Sequence, residues 1–287
     1  MNTTLLIGVF AIIVVAGSIG AFYTALRPAV QQVTTSEGTQ APATTTTQQQ
    51  TTSTTEPEST STAATTPTTT TVTAGEVVEP LKLRSFRDLL SNFSHIKLAI
   101  REISGSNVST LTLEYSASAG EVIQGEGTMK VILTLTSSAG ESQTLIFWLT
   151  KDFSTTLKMV VPDGTVYEGA SATQLGSIIL SQLSMLLMPF LETQNINYVI
   201  SESPTQADIP GWVMSSSEEA VVTLGTKQYR GYSITLENIN DNRSQTSLVN
   251  IKIAELKPGL WFVTHIKAAR TDGIVYEYIF DEVTPYR

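Results

Sequence analysis

From Ile96 to Phe280 the apolar residues recur at every second position in a series of short runs, a period that a chain satisfies as β-strands with one buried and one wet face. Ile96, Leu98 and Ile100 make one run, and Leu111, Leu113 and Tyr115 the next. In a third, Met129, Val131, Leu133 and Leu135 are opposed by Thr128, Lys130, Thr134 and Thr136. Leu145, Phe147 and Leu149 follow, then Leu157, Met159 and Val161. The links Ser137 to Glu141 and Lys151 to Thr155 are of hairpin length, Gly125-Glu126-Gly127 reads as a turn, and Pro162-Asp163-Gly164 turns the chain ahead of Val166 and Tyr167. After an interruption the alternation resumes at Val221 to Leu224, Tyr232, Ile234 and Leu236, then at Val249, Ile251 and Ile253. Leu260 to Lys267 and Ile274 to Phe280 close the series across Thr271-Asp272-Gly273, with Tyr276, Tyr278 and Phe280 on one face. About ten strands result, four or five before the interruption and about five after, and such short links predict an antiparallel sheet.

Two helices accompany the strands. Ser85 and Asp88 resemble a capping box, and Phe86, Leu89, Leu90 and Phe93 follow at helical spacing to an end near Ser94, with His95 just beyond. The interruption itself carries Leu175, Ile178, Ile179, Leu183, Leu186, Leu187 and Phe190, a helix capped by Ser171 or Thr173 and broken by Pro189. It is apolar on most of its circumference and too short to span a bilayer, so it must bury itself, and the apolar sheet face is the place for it. Met185 and Met188 would add adaptable side chains there. Asn195 to Ser217 reads as a loop holding a short strand at Tyr198 to Ile200.

Ahead of this body stand an anchor and a tether. Leu5 to Leu26 is roughly twenty residues without a charge, enough for one transmembrane helix. Met1-Asn2-Thr3-Thr4 lacks the basic head of a cleaved signal, although Ser18-Ile19-Gly20-Ala21 offers a weak cleavage site; Phe22, Tyr23 and Arg27 suit the interfacial end of a retained span. Thr34 to Thr73 is about half threonine, with too few large apolar groups to offset the entropy of ordering, so it reads as a disordered linker or an O-glycosylated stalk. The division is therefore 1–29 anchor, 30–80 linker and 81–287 folded body, placed on the extracytoplasmic side of a cell membrane. The sequons at Asn92, Asn107 and Asn242 suit that side as glycosylation candidates.

Charge and residue types narrow the function. Of 26 acids and 17 bases in the 287 residues, five acids and one base precede Pro80, which leaves the body 21 against 16 and argues against a nucleic-acid partner. No cysteine is present, hence no disulfide, thiolate metal site or lipid-anchor thiol. The two histidines, His95 and His265, sit in no relay or metal spacing. Glu218-Glu219 and Asp281-Glu282 are neighbours that a regular strand would point to opposite faces. No catalytic site, metal or cofactor is expected.

The order of elements, the hairpin Val160 to Tyr167 with its Asp163-Gly164 turn, and the closing Tyr276-Glu277-Tyr278-Ile279-Phe280-Asp281-Glu282-Val283 strand resemble the LolA/LppX-like lipoprotein-carrier superfamily over Leu81 to Arg287. The resemblance implies an α+β fold in which a strongly curved antiparallel sheet forms an open half-barrel, two or more helices lie on its concave face, and the hollow receives lipid chains. The membrane span and the threonine tether depart from a soluble carrier, and their style suits an archaeal surface protein. The leading reading is a membrane-tethered module that binds a lipid or lipidated protein between sheet and helix. Phe147, Leu149, Met159, Leu183, Leu186, Leu187, Phe190, Ile251 and Tyr278 would line that site. The alternative is a cell-surface interaction or envelope-structural protein whose hollow is filled core.

Overall fold

The side chain of Ser85 accepts a hydrogen bond from the Asp88 amide (3.3 Å), and the Asp88 carboxylate accepts one from the Arg84 amide (2.6 Å), so the capping pair starts a helix where the sequence places it. In this computed structural model, which describes residues 76–201, 203–207, 211–239 and 246–286, helix α1 spans Phe86–Asn92. The Leu5 to Leu26 span, the threonine-rich run and the Asn242 sequon lie outside the described residues. Helix α1 stops short of Ser94 because Phe93 is already extended and opens strand β2 (Phe93–Ser104), which puts His95 on a strand.

Two helices form the mid-chain interruption, with six further strands before them and seven after. Strand β1 (Glu76–Val78) precedes α1; β3 (Asn107–Ile123), β4 (Glu126–Ser137), β5 (Ser142–Thr150), β6 (Thr156–Val160) and β7 (Val166–Glu168) follow β2. Helices α2 (Gly169–Leu186) and α3 (Met188–Gln194) come next, then β8 (Tyr198–Ile200), β9 (Thr205–Gln206), β10 (Trp212–Leu224), β11 (Lys227–Asn238), β12 (Thr246–Lys257), β13 (Leu260–Arg270) and β14 (Ile274–Pro285). Twelve strands form one unclosed, wholly antiparallel sheet in the order β7-β6-β5-β4-β3-β2-β14-β13-β12-β11-β10-β9, while β1 pairs with β8 apart from it. Ten described strands have five or more residues, as the alternation predicts; β1, β7, β8 and β9, of two or three residues each, raise the total to fourteen. Residues 76–80, assigned to the linker from composition, belong to the folded body: Glu76–Val78 pair with β8 and Pro80 bridges Trp261.

The sheet curls far enough for the β10–β11 turn, near one end, to approach β14 in its middle. A Cβ on Gly225, in the β10–β11 turn, would lie 3.4 Å from the Glu282 side chain and 3.8 Å from the Asp281 carbonyl, although three strands separate β10 from β14 in the sheet. The turns that permit such tight hairpins need positive φ, as at Gln124 (53°) and Gly125 (84°) between β3 and β4.

Bulges correct several expectations. Across β5–β6, Phe147 faces Met159 but Leu149 faces Thr156, so Leu157 is the extra residue; it is half-buried, and Thr156 takes the interior place expected for it. Across β14–β2, Phe280 faces Leu98 and Glu282 faces Lys97, which makes Asp281 the extra residue; both carboxylates are exposed, as solvated edge charges. Strand β10 begins at Trp212 inside the expected loop, with Trp212 and Met214 buried. Further along it, Glu219 and Val221 stand opposite Tyr232 and Arg230 and are exposed, while Val222 and Leu224 are buried on the other side of the strand. The apolar face therefore does not stay single: the tip of the β10–β11 hairpin buries the side opposite to Tyr232, Ile234 and Leu236, because that tip has folded over toward β14.

Candidate functional site

Helix α2 presents Ala172, Gly176, Ile179, Leu180, Leu183 and Leu186 inward at helical spacing. Its cap is not the expected one: Glu168 precedes it without a side-chain cap, Ser171 lies inside the helix, and the Thr173 hydroxyl donates to the carbonyls of Thr156 (2.9 Å) and Gly169 (3.1 Å). Gly176 lets the helix sit directly on β6, for a Cβ there would come within 2.3 Å of the Thr156 hydroxyl. The outer face carries Ile178 and Met185, the latter 69% exposed, so Met185 does not join the interior; Met188 is half-buried.

At Leu187 and Pro189 the helical path turns by 65° into α3. No single described helix is long and apolar enough to cross a membrane. The turn drops Phe190 into an aromatic group, its ring 4.6 Å from Phe280 and 5.6 Å from Phe262; Phe262 in turn lies 5.0 Å from both Phe280 and Phe93. Phe262 was hidden in a run, Trp261-Phe262-Val263-Thr264, in which every residue is buried and no alternation shows.

Three buried phenols fasten the three helices. Tyr115 of β3 donates to the Leu89 and Phe93 carbonyls (2.9 and 3.3 Å), Tyr278 of β14 to the Leu186 carbonyl (3.3 Å), and Tyr198 of β8 to the Thr193 carbonyl (2.8 Å). Each acceptor lies in the last turn of a helix or at its C-cap, and the Leu89 and Thr193 carbonyls accept a backbone amide as well. Burial pushes all three phenol pKa values up, so each stays a neutral donor.

All nine residues expected to line a site, Phe147, Leu149, Met159, Leu183, Leu186, Leu187, Phe190, Ile251 and Tyr278, are buried and belong to one apolar core. Charge is kept to its margins. Glu277, the buried acid among the described residues, lies between Lys267 (3.4 Å) and Arg101 (3.9 Å); Arg270 ends β13 paired with Asp272 at 2.7 Å. At one rim Glu76 accepts from Arg230 (3.1 Å) and from the Tyr232 hydroxyl (2.6 Å), beside an open depression lined by Glu219, Val221, Gln228 and Tyr229, away from the nine.

His95 stands 3.4 Å from Glu282 on the surface, and no group of three His, Asp or Glu residues that could hold a metal occurs among the described residues. The Nε2 atom of His265 is buried without a hydrogen-bond partner, and desolvation lowers its pKa. Asn107, with Val108 and Ser109, is exposed at the β2–β3 hairpin. Asn92 is not in a loop; its amide donates to the Asp88 carbonyl (2.8 Å) at the end of α1.

No protein-family model and no curated protein matches the chain. Among solved structures it is similar to a DUF1329 family protein from Desulfovibrio piger, at 11% identity over 70% of this chain and 89% of that one, with a TM-score of 0.26. A domain assigned to an outer membrane lipoprotein-sorting protein of Vibrio parahaemolyticus follows at 8% identity, 70% and 88% coverage, and 0.25. An exported protein of Bacteroides fragilis with a YmcC-like fold is similar at 10% identity, 74% and 100% coverage, and 0.22.

Proposed function

We propose that the body is a carrier-type half-barrel, held outside a membrane by the Leu5 to Leu26 span and the threonine tether, that receives the alkyl chain of a lipid or lipidated protein between the curled sheet and helices α2 and α3. The observation that carries this reading is the continuous apolar core between those helices and the sheet, with charged groups confined to its margins. An interior of that chemistry suits an uncharged hydrocarbon and leaves a polar headgroup at the rim. The resemblance of element order to the lipoprotein-carrier superfamily supports the same reading. Native mass spectrometry of the chain extracted from membranes in mild detergent tests it: a co-purifying lipid mass is expected, and neither an adduct nor saturable binding of an uncharged apolar fluorophore would end it.

A second reading, a cell-surface interaction or envelope-structural protein with a filled core, is favoured by the close ring contacts of Phe190 with Phe262 and Phe280. It predicts one stoichiometric protein partner recovered from surface membranes, unaffected by delipidation. A glycan at Asn107 suits either reading, since that hairpin is exposed.

A further inference from the structure

Strands β13 and β14 are paired only from His265–Ile279 to Ala269–Val275; beyond His265, toward Leu260, they part. The edge of β13 that β14 abandons is not left bare. Pro80 bridges Trp261 in parallel, the Leu81 amide donates to the Trp261 carbonyl (2.9 Å), and the Val263 amide donates to Gln194 Oε1 (2.8 Å). Residues two apart on a strand offer their amides and carbonyls to the same edge, so Leu81 and Gln194 together stand in for the missing neighbour. Gln194, fully buried at the end of α3, also donates from Nε2 to the Leu81 carbonyl (2.9 Å).

The same segment is stitched to α3 at further points. Asn195 Oδ1 accepts from the Leu83 amide (3.1 Å), and its Nδ2 donates to the carbonyls of Leu83 (2.6 Å) and Leu191 (2.9 Å). Lys82 Nζ donates to the Asn195 carbonyl (3.0 Å) and to Asn197 (2.6 Å), while β1 pairs with β8 directly after the helix. Residues 76–83 thus hold α3, and with it Phe190, against the split in the sheet.

We infer that residues 76–83 are a strap that latches the α3 plug: withdrawing β1 from β8, by load on the chain ahead of Glu76 or by another strand taking its place, releases Gln194 and opens the core beneath Phe190. This rests on the apolar-ligand reading of the core. It assigns to the tether a second task beyond reach, because the segment that joins the chain's N-terminal part to the body is also the fastening of the plug.

Val77 and Val199 are directly opposed across β1 and β8, a spacing a disulfide spans, and the chain has no cysteine to compete. In the full chain, V77C/V199C is compared oxidised and reduced. Entry of the uncharged fluorophore N-phenyl-1-naphthylamine should be slower in the oxidised form by roughly tenfold, equivalent to about 1.4 kcal/mol of opening. Amides of Met188–Gln194 should exchange more slowly with it, while V77P or Gln194→Leu should speed both. Equal rates in the two redox states, or protection spread equally over α1 and α3, would overturn the strap. If no form takes up the fluorophore, the ligand reading fails instead, and exchange of α3 relative to α1 still decides the strap.

Discussion

Phe190→Ala tests the packing of the core where the two functional readings diverge. The ring is fully buried, and its contacts with Phe280 (4.6 Å) and Phe262 (5.6 Å) are lost with it. Removing a buried phenylalanine costs about 3–5 kcal/mol, counting lost transfer energy and the cavity left behind; each ring pair accounts for roughly 0.5–1.5 kcal/mol of that. For a folded body of about 200 residues, each kcal/mol lowers Tm by roughly 2–4 °C, so a loss near 4 kcal/mol should lower it by about 8–16 °C. Thermal unfolding followed by far-UV circular dichroism, in buffer alone and saturated with dodecane, measures the loss and its rescue. The apolar-ligand reading expects dodecane to restore a large part of it by entering the enlarged hollow. A loss below about 1 kcal/mol would show that Phe190 is not packed as described and would refute the reasoning.

Gly176→Ala should destabilise by about 1–3 kcal/mol despite alanine's better helix propensity, because its Cβ would press on the Thr156 side chain; adding Thr156→Ala should recover most of the loss in denaturant titration. His265, whose pKa is lowered from 6.5 chiefly by burial and further by Lys252, Lys267 and Arg101, against the opposing pull of Glu277, is favoured neutral in the fold. Its contribution to stability is present above about pH 6.5 and is lost as pH falls through the unfolded and then the folded value. Urea midpoints for His265→Phe should therefore vary less between pH 7 and pH 5 than those of the parent, and an unchanged slope would refute the assignment. Asp152, held to a pKa of about 2 chiefly by the Thr150 hydroxyl and then by Ser154, should keep its charge to lower pH than a free aspartate; side-chain carbon NMR titration checks this, and a midpoint near 4 would contradict it. In a host that glycosylates sequons, Asn107→Gln should remove one glycan from the intact mass, whereas Asn92→Gln should leave the mass of attached sugar unchanged.

The parts of the fold legible in the chain are those set by near neighbours. Leu111-Leu113-Tyr115 and Tyr276-Tyr278-Phe280 alternate because a strand's side chains alternate, and each run is a buried strand face. Ser85 with Asp88 starts α1, and Pro189 breaks the apolar helix, through contacts within four residues. All nine expected lining residues are buried for the same reason, since a helix apolar on most of its surface and a sheet with one apolar face have to cover each other. The first half of β10 escaped because Ser215-Ser216-Ser217-Glu218-Glu219 carries no apolar period; its pairing with β11, rather than its own side chains, makes it a strand.

What sequence pattern could not reach depends on where distant segments end up. Asp281 and Leu157 are extra residues only in relation to β2 and β5, so the bulge at Asp281 and the exchange of Leu157 for Thr156 appear once those strands are paired. The strap at residues 76–83 and its bond to Gln194 join positions more than a hundred residues apart along the chain. Local periodicity determines which residues want to be inside, because each side chain's direction follows from its own backbone. The curl of the sheet, the side that Val222 and Leu224 bury, and the fastening of the plug were decided only by tertiary structure, because they follow from twist and bulges accumulated over twelve strands.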